Sequence, residues 1–573
     1  VYAQHNSDKR AYKLAIRQAQ SDSNERYSNQ LHELLLNKRG ADFWKSWATR
    51  FEKKPSSQLK VDGQLDPHLI IDCFTKHFKS VCTDTLTAES IKLRAQYATR
   101  RPHYIGVPFM DEYKFDTELV ENAINGMKRG KAPGLDGLTV EHLSHCHPLI
   151  FCILAKLFNM SLTIGHVPVQ FGLSYTVPLL KGSVCSYSKN LTVDDFRGIS
   201  ISPVLSKVFE HCILQRFGSF FGTCPNQFGF KKNLGCSHAL YTLRSIVNHY
   251  VSHGSTVNLC ALDISKAFDR MNHYGLFMKL MDRSLPLNLL RIIEDWFEKS
   301  FTCVKWDSLL SSMFQLTCGV RQGGVLSPYL FALYIDGIVS SVENTRVGCY
   351  YRSVCVSIIL FADDILLLAP SITALQILLH VCEEVLSSLD LTINAKKSVC
   401  TRVGPRFNIA CSNIVCSNGL ALKWVDVMRY LGIYIVNARQ FKCDLDKAKI
   451  SFFRAFNAVY GRIGRAASEE VILQLISAKC FPCLLYGTES LPINKSQLNS
   501  LEFTVNRILM KIFCTKSMEV IRECRSFFYI SDMNLLINRR KSKFLSKFSV
   551  SDNTLCYLFA NVATTEQSLL LSL

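Results

Sequence analysis

The stretch that most constrains the fold is Val354–Ser371, VCVSIILFADDILLLAPS, an apolar run broken only by Asp363 and Asp364. An ionised carboxylate left unpaired in apolar surroundings costs several kcal/mol or more, so a buried strand does not accommodate two of them without partners. Aspartate is favoured in turns, and apolar residues flank the pair on both sides. The pattern predicts a tight β-hairpin whose turn presents both carboxylates to a common space, where something positive binds them.

A second carboxylate site lies upstream in CALDISKAFDRMNH. Val257–Leu262 reads as a short strand, Asp263 follows its last residue, and the segment from Ser265 to His273 reads as the start of a helix. Three carboxylates at the ends of adjacent strands suit hard divalent cations such as Mg²⁺, which two-metal phosphoryl transfer requires. The alternative is that Asp263 and the Asp pair occupy separate surface turns.

Five segments resemble, in order and separation, the palm blocks of reverse transcriptases of LINE-type retrotransposons, which lack long terminal repeats. They are ALDISKAFD, GVRQGGVLSPYLFALYID, FADD, LTINAKKS and RYLGIYI, and the resemblance spans roughly residues 115–490. It implies an α+β right-hand polymerase with an antiparallel palm sheet and a mostly helical thumb and N-terminal extension. The implied divisions are a basic helical extension (1–100), fingers (101–255), palm (256–440), and a helical thumb with a basic C-terminal region (441–573).

The resemblance also implies roles for residues around the reacting groups. Asp263, Asp363 and Asp364 would hold two Mg²⁺ ions, for which Mn²⁺ could substitute, and Lys397 would protonate the leaving pyrophosphate. Lys181 and Arg197 would hold the triphosphate of the incoming nucleotide; many relatives have Pro where this chain has Gly198. Gln322 would contact the template and the incoming base. Phe268 is either the gate that excludes a ribose 2′-hydroxyl or a core residue, and Lys397 is otherwise a solvated side chain.

Template and primer contacts are expected at six further positions, each in a glycine-containing or basic segment. Glycine permits close backbone approach, and lysines beside aromatic residues suit single-stranded nucleic acid. Each of these segments is otherwise an ordinary turn, strand or loop. RYLGIYI reads as one short strand containing a glycine. The positions are Lys131, Gly134, Lys231, Lys232, Gly323 and Gly432.

Composition supports a polyanionic partner. Lys and Arg exceed Asp and Glu by 66 to 47, a net charge of +19, and clustered cations attract phosphate backbones. An anionic membrane surface is the rival partner, but no segment has the apolar length to span a bilayer. The 23 cysteines are scattered, as free thiols of an intracellular protein would be, and the start VYAQHNS contains neither a signal sequence nor an initiating Met. The sequence therefore predicts an RNA-directed DNA polymerase acting on element RNA, a DNA primer or target, and dNTPs. An intron-maturase-like enzyme and a decayed RNA-binding descendant are the alternatives.

Overall fold

The computed structural model describes residues 2–37, 42–43, 46–47, 59–182, 191–463 and 467–571. The chain divides into two compact units. The larger unit comprises Gln58–Ala239 and His249–Met428, and the smaller comprises Val1–Ser57, Leu240–Asn248 and Arg429–Leu573. No helix in the described part of the chain is long and apolar enough to cross a membrane.

The strands are short and belong to small sheets. They are β1 (Leu173–Leu180), β2 (Phe196–Ile201), β3 (Val257–Leu262), β4 (Phe301–Trp306), β5 (Leu309–Leu310), β6 (Phe314–Gln315), β7 (Tyr350–Tyr351), β8 (Val354–Cys355), β9 (Ile358–Phe361), β10 (Asp364–Ala369), β11 (Val399–Val403), β12 (Lys423–Trp424), β13 (Val427–Tyr430), β14 (Ile433–Val436) and β15 (Cys443–Asp444).

The sheet that carries the carboxylates has the order β12-β11-β3-β10-β9. Strand β3 is central and pairs antiparallel with both β10 and β11, while β12 joins β11 in parallel. Its residues are mostly apolar and buried, as expected for a strand covered on both faces, and the buried Asn258 donates a hydrogen bond to the Ala369 carbonyl oxygen. Because Leu262 pairs with Ile365, the end of β3 lies beside the start of β10. Asp263 and the Asp363–Asp364 pair therefore lie at the same edge of one sheet.

A second sheet, of order β2-β1-β4-β5 with β6 paired to β4, completes the strand framework of the larger unit together with the hairpin of β7 and β8. One extensive apolar core surrounds the carboxylate sheet, and a separate apolar cluster joins the helix Pro67–Val81 to the second sheet. Both sheets are covered by helices. These helices are Pro67–Val81, Ala88–Arg100, Thr117–Gly126, Val140–Ser144, Leu149–Ile164, Val169–Gly172, Val204–Phe217, Cys236–Ser252, Ala267–Arg270, His273–Asp282, Leu287–Glu298, Ser327–Ile335, Gly337–Asn344 and Ile372–Ser388; Cys236–Ser252 also gives residues 240–248 to the smaller unit.

The smaller unit is mostly helical. Its helix Asp446–Ile463 buries Phe452, Phe456 and Ile463, and its basic side chains lie on other faces. The helices are Tyr2–Leu36, Asp446–Ile463, Glu469–Leu475, Phe481–Leu484, Lys495–Ile512, Met518–Phe527, Met533–Ser549, Thr554–Leu558 and Ala560–Leu571, with a π-helical turn at Ile476–Cys480.

The structure corrects two local predictions. The helix expected from Ser265 begins at Ala267 and ends at Arg270, because Lys266 adopts a left-handed conformation (φ 47°) before it. A separate helix then starts at His273, capped by the Asn272 side chain. RYLGIYI is two strands and not one, since β13 and β14 are separated by a turn at Leu431 and Gly432, both with positive φ.

Candidate active site

A cavity of 1110 Å³ opens at the carboxylate edge of the sheet. Its walls come from strand ends, from the loop before the helix Ser327–Ile335 and from the helix Pro67–Val81. Eight of the residues singled out from the sequence line it, and they combine two carboxylates with three cations, an aromatic ring and an amide. These residues are Lys181, Arg197, Asp263, Phe268, Gln322, Gly323, Asp363 and Lys397.

Asp363 lies in the two-residue turn between β9 and β10, as the apolar run predicts. The preceding Ala362 has φ 57°, a conformation that few residues with a side chain adopt. Gln227 stabilises this turn, because its Oε1 accepts hydrogen bonds from the backbone N–H groups of Ala362 (3.0 Å) and Gly229 (2.9 Å). A Cβ on Gly229 would lie 2.6 Å from the Ala362 nitrogen, so only glycine fits there.

Asp263 is held at the end of β3 by the loop that carries Lys397. Its backbone N–H donates to Ser398 Oγ (3.1 Å), and its carbonyl accepts from the Asn394 N–H (2.8 Å). Lys397 Nζ lies 4.0 Å from Asp263 Oδ2. Burial raises the pKa of Asp263, while the charge of Lys397 and a hydrogen bond from Asn394 act in the opposite direction.

Asp363 and Asp263 interact electrostatically. Burial raises the pKa of Asp363, and the negative charge of Asp263 raises it further, whereas Arg197 lowers it. Two carboxylates held against one cavity, each with a raised pKa, form a set of oxygen donors that a hard cation would stabilise in the ionised form. The donor set therefore fits a divalent cation.

Asp364 differs from its neighbour. It is the first residue of β10, pairs with Phe361 across the hairpin, and has an exposed side chain that does not line the cavity. Within the described residues, no group of three or more His, Cys, Asp and Glu side chains is arranged to hold a metal ion. The structure thus brings Asp263 and Asp363 to the cavity and leaves Asp364 outside it.

Lys181 and Arg197 form a basic wall of the same cavity. Lys181 follows β1 and donates through Nζ to the carbonyl oxygen of Asp194, and Arg197 lies on β2 in register with Leu179. Burial lowers the pKa of Lys181, and the charge of Lys397 adds to that effect. The wall is therefore a concentrated positive surface.

Two further basic residues on this wall were not found from the sequence. His77 Nε2 and Lys266 Nζ lie 3.9 and 4.0 Å from Asp194 Oδ1, and both residues line the cavity. His77 comes from the helix Pro67–Val81, which precedes all five sequence blocks, so no local motif marks it. Lys266 lies inside the ALDISKAFD block, between Asp263 and Phe268. Its position between two predicted site residues was the signal that could have identified it as a cavity residue.

Phe268 combines features of both predictions made for it. The half-buried ring lines the cavity and also stacks on Phe331 of the core, with centroids 4.5 Å apart and planes at 25°. Its edge contact with Phe230 spans 6.5 Å. One part of the ring is therefore available to a ligand while another is packed against the protein.

Gln322 and Gly323 lie in the loop before the helix Ser327–Ile335. The Gln322 carbonyl accepts from the Ser200 N–H on β2 (2.8 Å), and its side-chain Nε2 donates to Asp269 Oδ1 (2.7 Å). Gly323 has φ 125°, and a Cβ there would lie 2.5 Å from the Ser200 carbonyl oxygen. Glycine is therefore required where this loop crosses β2.

The predicted template and primer residues other than Gly323 do not line the cavity. Gly134 packs against Pro203, with 2.8 Å from an added Cβ to Pro203 Cα, and Lys231 Nζ donates to the Cys224 carbonyl oxygen at 2.5 Å. Lys131 and Lys232 are exposed. Gly432 belongs to the smaller unit, where it forms the turn between β13 and β14.

Acidic residues at the end of a central antiparallel strand and in the adjacent hairpin share one cavity with basic residues, an arrangement typical of the palm of a right-hand polymerase. Residues 187–435 match the family described as "Reverse transcriptase (RNA-dependent DNA polymerase)". These residues therefore match a reverse transcriptase domain, which confirms the resemblance drawn from the five blocks and the α+β right-hand fold.

The relatives are retrotransposon proteins. The chain is 27% identical to the Pol polyprotein of the type-2 retrotransposable element R2DM of Drosophila melanogaster, over 55% of the chain and 29% of the relative. It is 28% identical to the RNA-directed DNA polymerase of the mobile element jockey of Drosophila funebris, over 58% and 36%. It is 24% identical to the RNA-directed DNA polymerase of the mobile element jockey of Drosophila melanogaster, over 76% of the chain and 48% of the relative. The chain thus spans less than half the length of each of these three relatives.

Solved structures of telomerase are also similar. Apo telomerase from Candida tropicalis aligns with 74% of the chain and 73% of its own length, at 13% identity and a TM-score of 0.34. Telomerase from Candida albicans in complex with a fragment of telomeric RNA aligns with 96% and 93%, at 10% identity and a TM-score of 0.35.

Proposed function

We propose that this protein is an RNA-directed DNA polymerase that copies the RNA of its retrotransposon, adding nucleotides from dNTPs to a primer 3′-hydroxyl. One observation carries the proposal: Asp263 and Asp363 share a cavity with Lys181 and Arg197. Carboxylates for a cation and a basic wall for a triphosphate are the two requirements of phosphoryl transfer to a hydroxyl.

Asp263 and Asp363 would hold two Mg²⁺ ions, or Mn²⁺ in their place, and Asp364 is a weaker candidate because its side chain lies outside the cavity. Mg²⁺ keeps several waters and binds through one or two carboxylates plus substrate phosphates, so two cavity carboxylates suffice. When bound, the ions would lower the pKa of the primer hydroxyl and offset charge on the departing pyrophosphate. The half-buried carboxylates and the triphosphate of the nucleotide are both negatively charged, so bound cations would offset the repulsion between them.

The basic wall would orient the nucleotide. Arg197 offers a planar fork of donors and Lys181 a point charge, the two geometries that suit a triphosphate. Lys397, beside Asp263, would protonate the leaving pyrophosphate. Phe268 would exclude a 2′-hydroxyl, and Gln322, which also lines the cavity, would contact the template and the incoming base.

Template and primer would lie along Gly323 at the cavity and along residues outside it. Exposed Lys131 and Lys232 would contact template phosphates, as would Lys231. Gly134 and Gly323 would let the backbone approach the template, and the turn at Gly432 would lie against the primer. The surplus of 19 positive charges supports a long polyanionic partner.

The test is extension of oligo(dT) on poly(rA) with dTTP and Mg²⁺. We expect extension by the wild type and a loss of at least about 10³-fold in Asp263→Ala and in Asp363→Ala, which corresponds to about 4 kcal/mol of barrier. RNA binding should stay unchanged in both variants, because it depends on the basic surface. Asp111→Ala is the matched control, because Asp111 is an exposed carboxylate that pairs with Lys114, and this variant should extend the primer normally. A loss of only a few-fold in either cavity variant would contradict the metal assignment.

A further inference from the structure

Asp269 makes a contact that the proposed mechanism does not use. It follows Phe268, is half-buried at the cavity wall, and accepts a hydrogen bond from Gln322 Nε2 through Oδ1 at 2.7 Å. The two residues are 53 positions apart, so the contact links the ALDISKAFD block to the GVRQGGVLSPYLFALYID block.

The backbones of the two blocks are fixed to each other next to this contact. The N–H of Val320 donates to the Phe268 carbonyl (2.8 Å), and the N–H of Gly319 donates to the Met271 carbonyl (2.7 Å). A Cβ on Gly319 would lie 2.4 Å from the Asp269 carbonyl oxygen, so glycine is needed for this close approach. The backbone contacts between the two blocks therefore fix the distance between Asp269 and Gln322.

The backbone of Gln322 is anchored on another element. Its carbonyl accepts from Ser200 on β2, so the main chain of Gln322 is tied to one strand and its side chain to Asp269. With both ends held, the amide has one remaining freedom, which is rotation by 180° that exchanges Oε1 and Nε2.

An ionised carboxylate removes that freedom, because it accepts hydrogen bonds and donates none. Burial raises the pKa of Asp269, but the Gln322 amide and the charges of Lys266 and Arg197 favour the ionised form. Facing an acceptor, Gln322 must turn Nε2 toward Asp269. Its Oε1, the acceptor, is then left for the cavity.

We propose that Asp269 is a positioning residue that fixes the amide of Gln322, so that this side chain always presents a hydrogen-bond acceptor to the nascent base pair. The inference rests on the proposed function and deepens it, because it makes nucleotide selection depend on two residues where the sequence blocks suggest one. The group recognised would be a hydrogen-bond donor on the incoming nucleotide or on the template.

The test is single-nucleotide incorporation on an RNA template, with kcat and KM measured for the matched and a mismatched dNTP. Asp269→Asn keeps the size of the side chain but can present either a donor or an acceptor, so the Gln322 amide loses its fixed orientation. We expect KM for the matched dNTP to rise and discrimination to fall about tenfold, with kcat changing less than twofold. In a Gln322→Ala background, Asp269→Asn should change discrimination by less than twofold.

Two further variants separate orientation from general packing. Gln322→Glu places two carboxylates against each other and should lower kcat/KM; adding Asp269→Asn supplies a donor, restores an acceptor facing the cavity, and should recover at least threefold. Asp390→Asn is the matched control, since Asp390 also lines the cavity but accepts from Thr87 (2.7 Å), and it should leave discrimination unchanged.

The outcomes distinguish the two proposals. A wild type that extends no primer would overturn the proposed function and this inference with it. A wild type that extends, with discrimination unchanged in Asp269→Asn, would overturn this inference alone. If Asp269→Asn lowered discrimination as much in the Gln322→Ala background as in the wild type, Asp269 would act on packing and this inference would be overturned. The same holds if kcat/KM did not recover in the double variant Gln322→Glu with Asp269→Asn.

Discussion

The replacement Phe268→Ala should change both sugar selection and stability, because the ring has two kinds of neighbour. It stacks on Phe331 at 4.5 Å and also lines the nucleotide cavity. Truncation to Ala removes the cavity wall and the stacked contact together. We therefore expect a folded enzyme that accepts ribonucleotides and melts at a lower temperature.

The magnitudes follow from the burial of the ring. Truncating a fully buried Phe costs about 3–5 kcal/mol, and Phe268 is half-buried, so a loss of about 2 kcal/mol is expected. The space left by the ring is larger than a hydroxyl group. We expect the ratio of kcat/KM for deoxyribonucleotide over ribonucleotide to fall at least about tenfold, equivalent to about 1.4 kcal/mol.

The assay combines incorporation of dTTP and UTP on poly(rA) with a melting curve for each variant. Phe331→Leu is the matched control: Phe331 is fully buried and does not line the cavity, so this variant should melt lower with an unchanged sugar ratio. An unchanged ratio in Phe268→Ala, or an equal change in Phe331→Leu, would refute the gate.

Three further predictions concern the carboxylates and the basic surface. Burial and the negative charge of Asp263 raise the pKa of Asp363, so its ionisation destabilises the folded protein and stability falls as pH rises through that pKa. At pH 7 without divalent cations, Asp363→Asn should therefore melt at a higher temperature than the wild type. The difference in melting temperature should shrink at acidic pH. Added Mg²⁺ should raise the melting temperature of the wild type more than that of the variant. Asp364→Asn should keep at least about a tenth of the extension rate, a loss below about 1.4 kcal/mol, because its side chain lies outside the cavity. Lys232→Ala should weaken RNA binding and reduce the salt slope by about one, measured by titration at several salt concentrations, with the dNTP KM unchanged.

Local patterns in the sequence were sufficient for the elements that carry the site. The strand predicted at Val257–Leu262 is β3 with the same bounds, and the turn predicted at the acidic pair lies between β9 and β10. Both predictions depend on apolar runs within a short stretch of chain, which burial of the strands enforces.

The same patterns could not separate the two adjacent carboxylates. Successive residues of a strand point to opposite faces, so a hairpin cannot direct both side chains of Asp363–Asp364 to one space unless the turn changes their directions. Here the turn consists of Ala362 and Asp363, and Asp364 already belongs to β10. Which residue faces the cavity depends on where the turn falls, and moving the turn by one residue would leave the apolar pattern almost unchanged.

The position of that turn is set by residues far away in the chain. Gln227 accepts from Ala362 across 135 positions, and Gly229 leaves the space in which the turn lies. Since Ala362 has positive φ, which an alanine adopts only at a cost, the hydrogen bond that its N–H donates to Gln227 offsets strain in the turn that contains Asp363. The sequence contains the acidic pair and the NQFGF segment as separate features. Their meeting is a consequence of tertiary packing, and this contact holds the turn from which Asp363 reaches the cavity that Asp263 also lines.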